Sequence, residues 1–230
     1  MGGVVVVFFV LRELQNRSRL ASCRPDVVYR IARQAAEEGD GLFPPLAPEP
    51  GRLMYVAETV HMLYRDSSDH YCEFDRELRT DPAVQSAMQR NPVDDWSYAY
   101  LGYVIENEAQ GLAFVKAYLE RVAAGDDFEA DLKVEPGTGN NGTDTLYRLR
   151  SPGELEALSR NLGEQAASIP VVVEWPGNHR PIGGKVVFLD GHTEYVPYPG
   201  PFPMTEAFID GLMSLDALGP DRSYRPDNSD

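Results

Sequence analysis

The chain has 230 residues, 43% of them hydrophobic, enough for one full domain with a sizeable buried core. Its 36 acidic against 21 basic residues leave a net charge of −15. That balance excludes a nucleic-acid partner held through its phosphates, where lysine and arginine must replace counterions. Two cysteines, Cys23 and Cys72, exclude a disulfide-rich scaffold and a four-cysteine zinc site.

Residues 4–11 form an unbroken apolar run, VVVVFFVL, before a polar stretch over 12–19. As a helix such a run covers about 12 Å, against roughly 30 Å of hydrocarbon in a bilayer, so by itself it does not span one. Neither a charged n-region nor an A-x-A site marks it as a signal peptide. Its valines also fit a short buried strand. Leu11, Leu14, Leu20, Ala21, Val28, Ile31, Ala32 and Ala35 then recur on one helical face. Pro25 marks a kink or restart with Asp26 just inside the new turn, Gly39 and Gly41 end the segment, and Phe43-Pro44-Pro45 sets an extended exit.

A second helix is predicted over 53–65, with Leu53, Val56, Ala57, Val60 and Tyr64 on one face. The third has the strongest end signals. Asn107 followed by Gln110 reads as a capping box, Leu112, Val115, Leu119 and Val122 make the stripe, and Gly125 closes it. A short fourth opens with Ser151, Pro152 and Glu154 and stops near Gly163. Strand signals fall at 96–105, 145–149 and 171–175. At 185–196, two strand-like runs flank Asp190-Gly191, predicting a two-residue type I′ hairpin. Residues 219–230 are rich in proline and aspartate and read as a disordered acidic tail. Helices first and an antiparallel sheet late make the fold class α+β.

Gly137 to Gly142 spells G-x-G-x-x-G, but a proline precedes it and a strand follows, so no helix N-terminus is available for a pyrophosphate. We read it as a flexible loop and reject nucleotide binding. The four histidines are His61, His70, His179 and His192. None has H-E-x-x-H or Cys/His zinc spacing, although a folded-back hairpin would bring His179 toward His192. Acidic pairs such as Asp94-Asp95 and Asp126-Asp127 are expected by chance in so acidic a chain and read as solvated faces. Asn140, Asn141 and Asp144 offer oxygen ligands to calcium without EF-hand spacing.

The stretch from Asn178 through His179, Gly183, Gly184, Asp190, Gly191 and His192 to Val196 resembles the signature of bacterial pilin-like proteins named for an H-X9-DG motif, relatives of type II secretion pseudopilins. Here ten residues separate His179 from Asp190. Other segments fit the same pattern in order: a basic stretch closing in Ser22-Cys23, a Gly41-Leu-Phe43-Pro44-Pro45 exit, and Cys72-Glu-Phe-Asp75 for a C-P-S-D segment. The aromatic run at 97–100 and Leu146-Tyr147-Arg148-Leu149-Arg150 follow.

The resemblance implies a pilin-like fold: a long N-terminal helix, anchored in the inner membrane, packed on a C-terminal antiparallel sheet with added helices. It divides the chain into a remnant hydrophobic anchor (1–11), a pilin-like globular domain (12–218) and the tail (219–230). It implies a structural or assembly subunit, not an enzyme, facing the periplasm in the cell envelope. Its partners would be other pilin-like subunits or secretion machinery, reached through the inner membrane by a missing or truncated anchor. The family's processing site, with a glutamate five residues after the cleaved glycine, is not matched at Gly3, so the natural product is expected to start upstream of Met1. No catalytic residue, metal or cofactor is carried over, and His179, Gly183, Gly184, Asp190, Gly191 and His192 have structural roles. With an even cysteine count, the implied envelope location predicts a Cys23–Cys72 disulfide. The alternative function is a soluble periplasmic calcium- or glycan-binding module that has lost its anchor.

Overall fold

In the computed structural model, which describes residues 23–55, 72, 82, 85–86, 95–178 and 182–218, helix α1 runs over Pro25–Glu38. Pro25 occupies its first turn, where the missing N–H costs nothing, and Asp26 faces the positive end of the helix dipole. Val28, Ala32 and Ala36 recur at i, i+4 and i+8 and are buried. Their small side chains let the helix lie close on the sheet.

That sheet has four antiparallel strands in the order β1 (Tyr98–Tyr100), β4 (Pro170–Glu174), β5 (Gly183–Phe188) and β6 (Thr193–Pro197). The central strand β4 is buried at every position, so both of its faces are covered, and α1 packs across β4 and β5. The exposed strand β6 forms one edge. A separate two-stranded ladder joins β2 (Leu132–Lys133) to β3 (Thr145–Leu146). The fold is α+β, and among the described residues no helix is long and apolar enough to cross a membrane.

Helix α2 (Glu108–Ala124) has the expected ends. Asn107 Oδ1 accepts from the Gln110 N–H at 3.0 Å, and Gly125 closes the helix in the left-handed region at φ 75°. The buried face differs from the predicted stripe. Leu112 and Leu119 are 42% and 40% exposed, whereas Gly111, Phe114, Ala117 and Tyr118 are buried. The aromatic column of Tyr103, Phe114, Tyr118 and Phe128 turned the helix, with neighbouring centroids 4.7–6.1 Å apart.

Three further expectations are corrected. Residues 53–55 are not helical, because their backbone is taken by tertiary partners. The Leu53 N–H donates to Asp95 Oδ2 at 2.6 Å, the Leu53 carbonyl accepts from Tyr100 N–H at 2.8 Å, and Tyr55 bridges to Leu46. Residues 56–65 lie outside the described residues. The predicted fourth helix is two, α3 (Pro152–Leu158) and α4 (Arg160–Glu164), broken at an extended Ser159. The strand expected over 96–105 is confined to β1, with Tyr103 bridging Arg148.

A last helix, α5 (Glu206–Asp216), packs against α2 and was not anticipated. Thr205 Oγ1 caps it, accepting from the Phe208 N–H. An added Cβ on Gly111 would sit 2.6 Å from Phe208, and one on Gly211 would sit 3.0 Å from Val115, so each helix offers a glycine to the other's side chain.

Tyr100, Tyr103 and Tyr118 are fully buried, and burial holds each hydroxyl above the ordinary phenol range, Tyr118 at about 12. Their hydroxyls are hydrogen-bonded, Tyr100 donating to the Pro44 carbonyl at 2.8 Å and Tyr118 accepting from the Gly51 N–H at 3.0 Å. A folded pKa above the unfolded value of about 10 stabilises the fold fully below pH ~10, and that contribution is lost as pH rises through the folded values. In an alkaline titration, part of the phenolate absorbance should therefore appear only as near-ultraviolet dichroism collapses. Complete tyrosine ionisation near pH ~10 with the fold intact would contradict this account.

Candidate functional site

Of the residues singled out by the sequence, Gly183, Gly184, Asp190, Gly191 and His192 lie on the β5–β6 hairpin, whose tip meets α1 through Tyr29. The hairpin pairs Val187 with Thr193 and the Phe188 N–H donates to the His192 carbonyl at 3.0 Å, which leaves Leu189, Asp190 and Gly191 as a three-residue loop, not the expected two-residue type I′ turn. The Gly191 N–H closes the turn on the Phe188 carbonyl at 2.8 Å, and Gly191 alone takes a positive φ, 91°. This is the arrangement in which a turn is followed by one left-handed residue.

Asp190 organises the tip. Its Oδ1 accepts from the His192 backbone N–H at 3.0 Å and lies 2.6 Å from His192 Nδ1. Partial burial would raise its carboxyl, but the His192 N–H and imidazole outweigh this and hold it below the usual carboxylate range. The His192 ring stacks on Phe188, centroids 4.5 Å apart and planes within 6°. Beneath the loop, Tyr29 of α1 donates its hydroxyl to the Leu189 carbonyl at 2.6 Å. Asp190, Gly191 and His192 thus shape the turn and seat it on α1. His179 lies outside the described residues, as do His61 and His70. No hydroxyl or thiol among the described residues is hydrogen-bonded to the His192 ring.

Gly183 and Gly184 serve close approach. A Cβ on Gly183 would meet Tyr195 Oη and the Val196 carbonyl at 2.6 Å, and one on Gly184 would meet the Glu174 carbonyl at 2.5 Å. Gly183 thus lets β5 close on β6, and Gly184 lets it close on Glu174, a fully buried carboxylate whose Oε2 accepts from the Lys185 N–H at 2.9 Å.

Next to Glu174, Cys23 and Cys72 are joined in a disulfide, Cα atoms 4.5 Å apart, and both are fully buried. Lys185 Nζ donates to the Cys23 carbonyl at 2.6 Å. Burial lowers the Lys185 ammonium below its ordinary pKa, with Glu174 opposing the shift. The Cys72 N–H donates to Ser97 Oγ at 3.0 Å and the Arg24 N–H to Tyr98 Oη at 3.0 Å. The sequence offered no signal for Glu174 in this cluster, because its neighbours come from four distant segments.

Elsewhere, the G-x-G-x-x-G segment is closed on itself by backbone hydrogen bonds. Gly137 and Gly139 N–H both donate to the Thr143 carbonyl at 3.0 and 2.9 Å, and an added Cβ at Gly139 would fall on the Thr145 backbone. The oxygens considered for calcium point to separate partners. Asn140 Oδ1 accepts from the Tyr147 N–H at 2.8 Å, while the Asp144 carboxylate takes Lys133 Nζ at 3.1 and 3.2 Å. Asn141 Oδ1 faces Asn161 Nδ2 at 3.5 Å. An open groove of about 480 Å³ runs between α2 and β2, with Leu112, Lys116, Glu120, Lys133 and Glu135 among its walls and no aromatic ring for a sugar to stack on. No family model, no curated protein and no solved structure matches this chain.

Two expected outcomes follow from this geometry. Gly191→Val should lower stability by about 1–3 kcal/mol, since a β-branched residue resists positive φ and the added Cβ sits 3.2 Å from Tyr29. Chemical denaturation reads it, and an unchanged midpoint would show that the tip does not require glycine. The Cys23–Cys72 bridge, 49 residues apart in sequence, should contribute at most about 4 kcal/mol in the chain-entropy model. Intact mass before and after reduction, on protein exported to the periplasm, should show two hydrogen atoms gained; two free thiols before reduction would count against the bridge in that compartment.

Proposed function

We propose that this protein is a structural or assembly subunit of a pilin-like, type II secretion-like envelope system, with a pilin-like fold, and that it performs no catalysis. The observation that carries the reading is the seat of the 183–197 hairpin on α1. The Asp190-Gly191 turn, the most specific part of the H-X9-DG resemblance, rests on the N-terminal helix through the Tyr29–Leu189 hydrogen bond. An N-terminal helix laid over an antiparallel sheet is the arrangement that the resemblance implies. Under this reading His192 and Asp190 brace a turn, and their 2.6 Å contact is structural.

In such a system the helix end nearest Cys23 leads toward the membrane, and the acidic globular part faces the periplasm. The net charge of −15 favours assembly through helix packing and specific contacts over adhesion to anionic lipid headgroups.

Fractionation of cells expressing the gene from its full native locus tests this. The protein should sediment with inner membranes and stay there through a high-salt wash, leaving only in detergent. Recovery in the periplasmic supernatant would overturn the reading and favour a soluble calcium- or glycan-binding module.

A further inference from the structure

Glu174 is a fully buried carboxylate beside the Cys23–Cys72 disulfide, its Oε2 accepting from the Lys185 N–H. A ligand atom from each of Cys23, Cys72 and Glu174 lies within 4.8 Å of the other two. We infer that when the Cys23–Cys72 bridge is opened, these two thiolates and the Glu174 carboxylate form a binding site for a divalent metal ion of the zinc class.

The chemistry of the donors selects the metal. Two sulfurs favour zinc over calcium or magnesium, which take oxygen ligands, and a carboxylate is an accepted third zinc ligand. Zinc coordination sets the dimensions that the opened site must reach. Zinc–sulfur bonds of about 2.3 Å at tetrahedral angles set two sulfurs roughly 3.8 Å apart. A carboxylate oxygen at about 2.0 Å from zinc then lies roughly 3.5 Å from each sulfur. The sulfurs are bonded in the bridged state, so opening the bridge must part them to that spacing, while the sulfur–oxygen spacing lies within the 4.8 Å limit of the cluster, leaving the fourth position to water.

The three ligands are also held independently of the bridge. Cys72 is fixed through its N–H to Ser97 Oγ, Cys23 through its carbonyl to Lys185 Nζ, and Glu174 by strand pairing with Tyr98 and by the Lys185 N–H. Opening the bridge therefore leaves the backbone of the site in place. It would bring two ionisable thiols beside a buried carboxylate, and a divalent ion compensates two of the three negative charges that full ionisation creates.

The redox step balances with a phosphine reductant. Phosphorus gives two electrons to the disulfide and takes oxygen from water to become phosphine oxide, while the two sulfurs take water's two protons. Zinc then displaces both thiol protons to solvent. The bridge and the metal are thus mutually exclusive, and oxidation would expel the ion.

Metal-free protein, reduced anaerobically with a water-soluble phosphine and freed of it, is titrated with zinc against a chromophoric chelator, and separately with cobalt(II). The reduced chain should take up one equivalent of zinc and melt at a higher temperature with it, whereas the oxidised chain should do neither. Cobalt should give a sulfur-to-metal charge-transfer band with the intense visible bands of a tetrahedral site. Glu174→Gln should weaken zinc binding at least tenfold, and Cys72→Ser should abolish two-thiolate cobalt binding. If Glu174→Gln does not fold, Glu174→Asp and Cys72→Ser carry the comparison. Absence of zinc binding by the reduced chain, folded or not, overturns the proposal, as does equal binding by the oxidised chain. Retention of full affinity in the folded Glu174 variant overturns the role of the carboxylate.

Discussion

Helix α1 is held on the sheet at two places, and most of the described structure is arranged around that seat. At one end, the disulfide from Cys23, the Lys185 ammonium on the Cys23 carbonyl and the Tyr98 hydroxyl on the Arg24 N–H tie the helix start to β1 and β5. Further along, Tyr29 reaches the carbonyl of Leu189 at the hairpin tip. Between and beyond these anchors the row of Val28, Ala32 and Ala36 buries apolar surface against β4 and β5 without forcing the helix away. The polar anchors add direction to a contact whose energy is mainly apolar.

The same seat explains residues that otherwise look costly. Gly184 forgoes a side chain so that β5 can approach Glu174, as Gly183 does for the approach of β6, and the Glu174 carboxylate in turn takes the Lys185 N–H. On the other side of the core, Arg148 is buried with its Nη2 on the Phe43 carbonyl at 2.7 Å and its Nη1 on the Glu129 carbonyl at 2.8 Å. That guanidinium joins the exit from α1 to the loop before β2 and satisfies two carbonyls that no strand reaches. Arg148 thus bridges segments far apart in the chain.

The functional reading and the metal inference concern opposite ends of one hairpin. The tip, with Asp190, Gly191 and His192, meets α1 through Tyr29; the base, with Gly183, Gly184 and Lys185, abuts the cysteines and Glu174. A change in the covalent state of the cysteines would act at the start of α1, some distance from the turn.

By itself, the sequence determined the elements whose ends are set by local chemistry. Pro25 starts α1, Asn107 and Gly125 bound α2, Ser151 starts α3, and the Asp190-Gly191 pair places the hairpin, because each rests on backbone groups or φ angles within a few residues. The Thr205 cap with Phe208, Ile209, Leu212 and Leu215 at helical spacing carried the same kind of signal for α5. What only the tertiary structure decided is which partner each group meets. Leu53 is not helical because Asp95 and Tyr100 take its N–H and carbonyl. α2 buries Phe114 and Tyr118, not Leu112 and Leu119, because Tyr103 and Phe128 supply the complementary rings. The even cysteine count admitted a bridge, but Glu174 beside it became visible only with β1, β4 and β5 in register. Local propensity acts over a turn or two, whereas burial and pairing act between segments that the chain order separates.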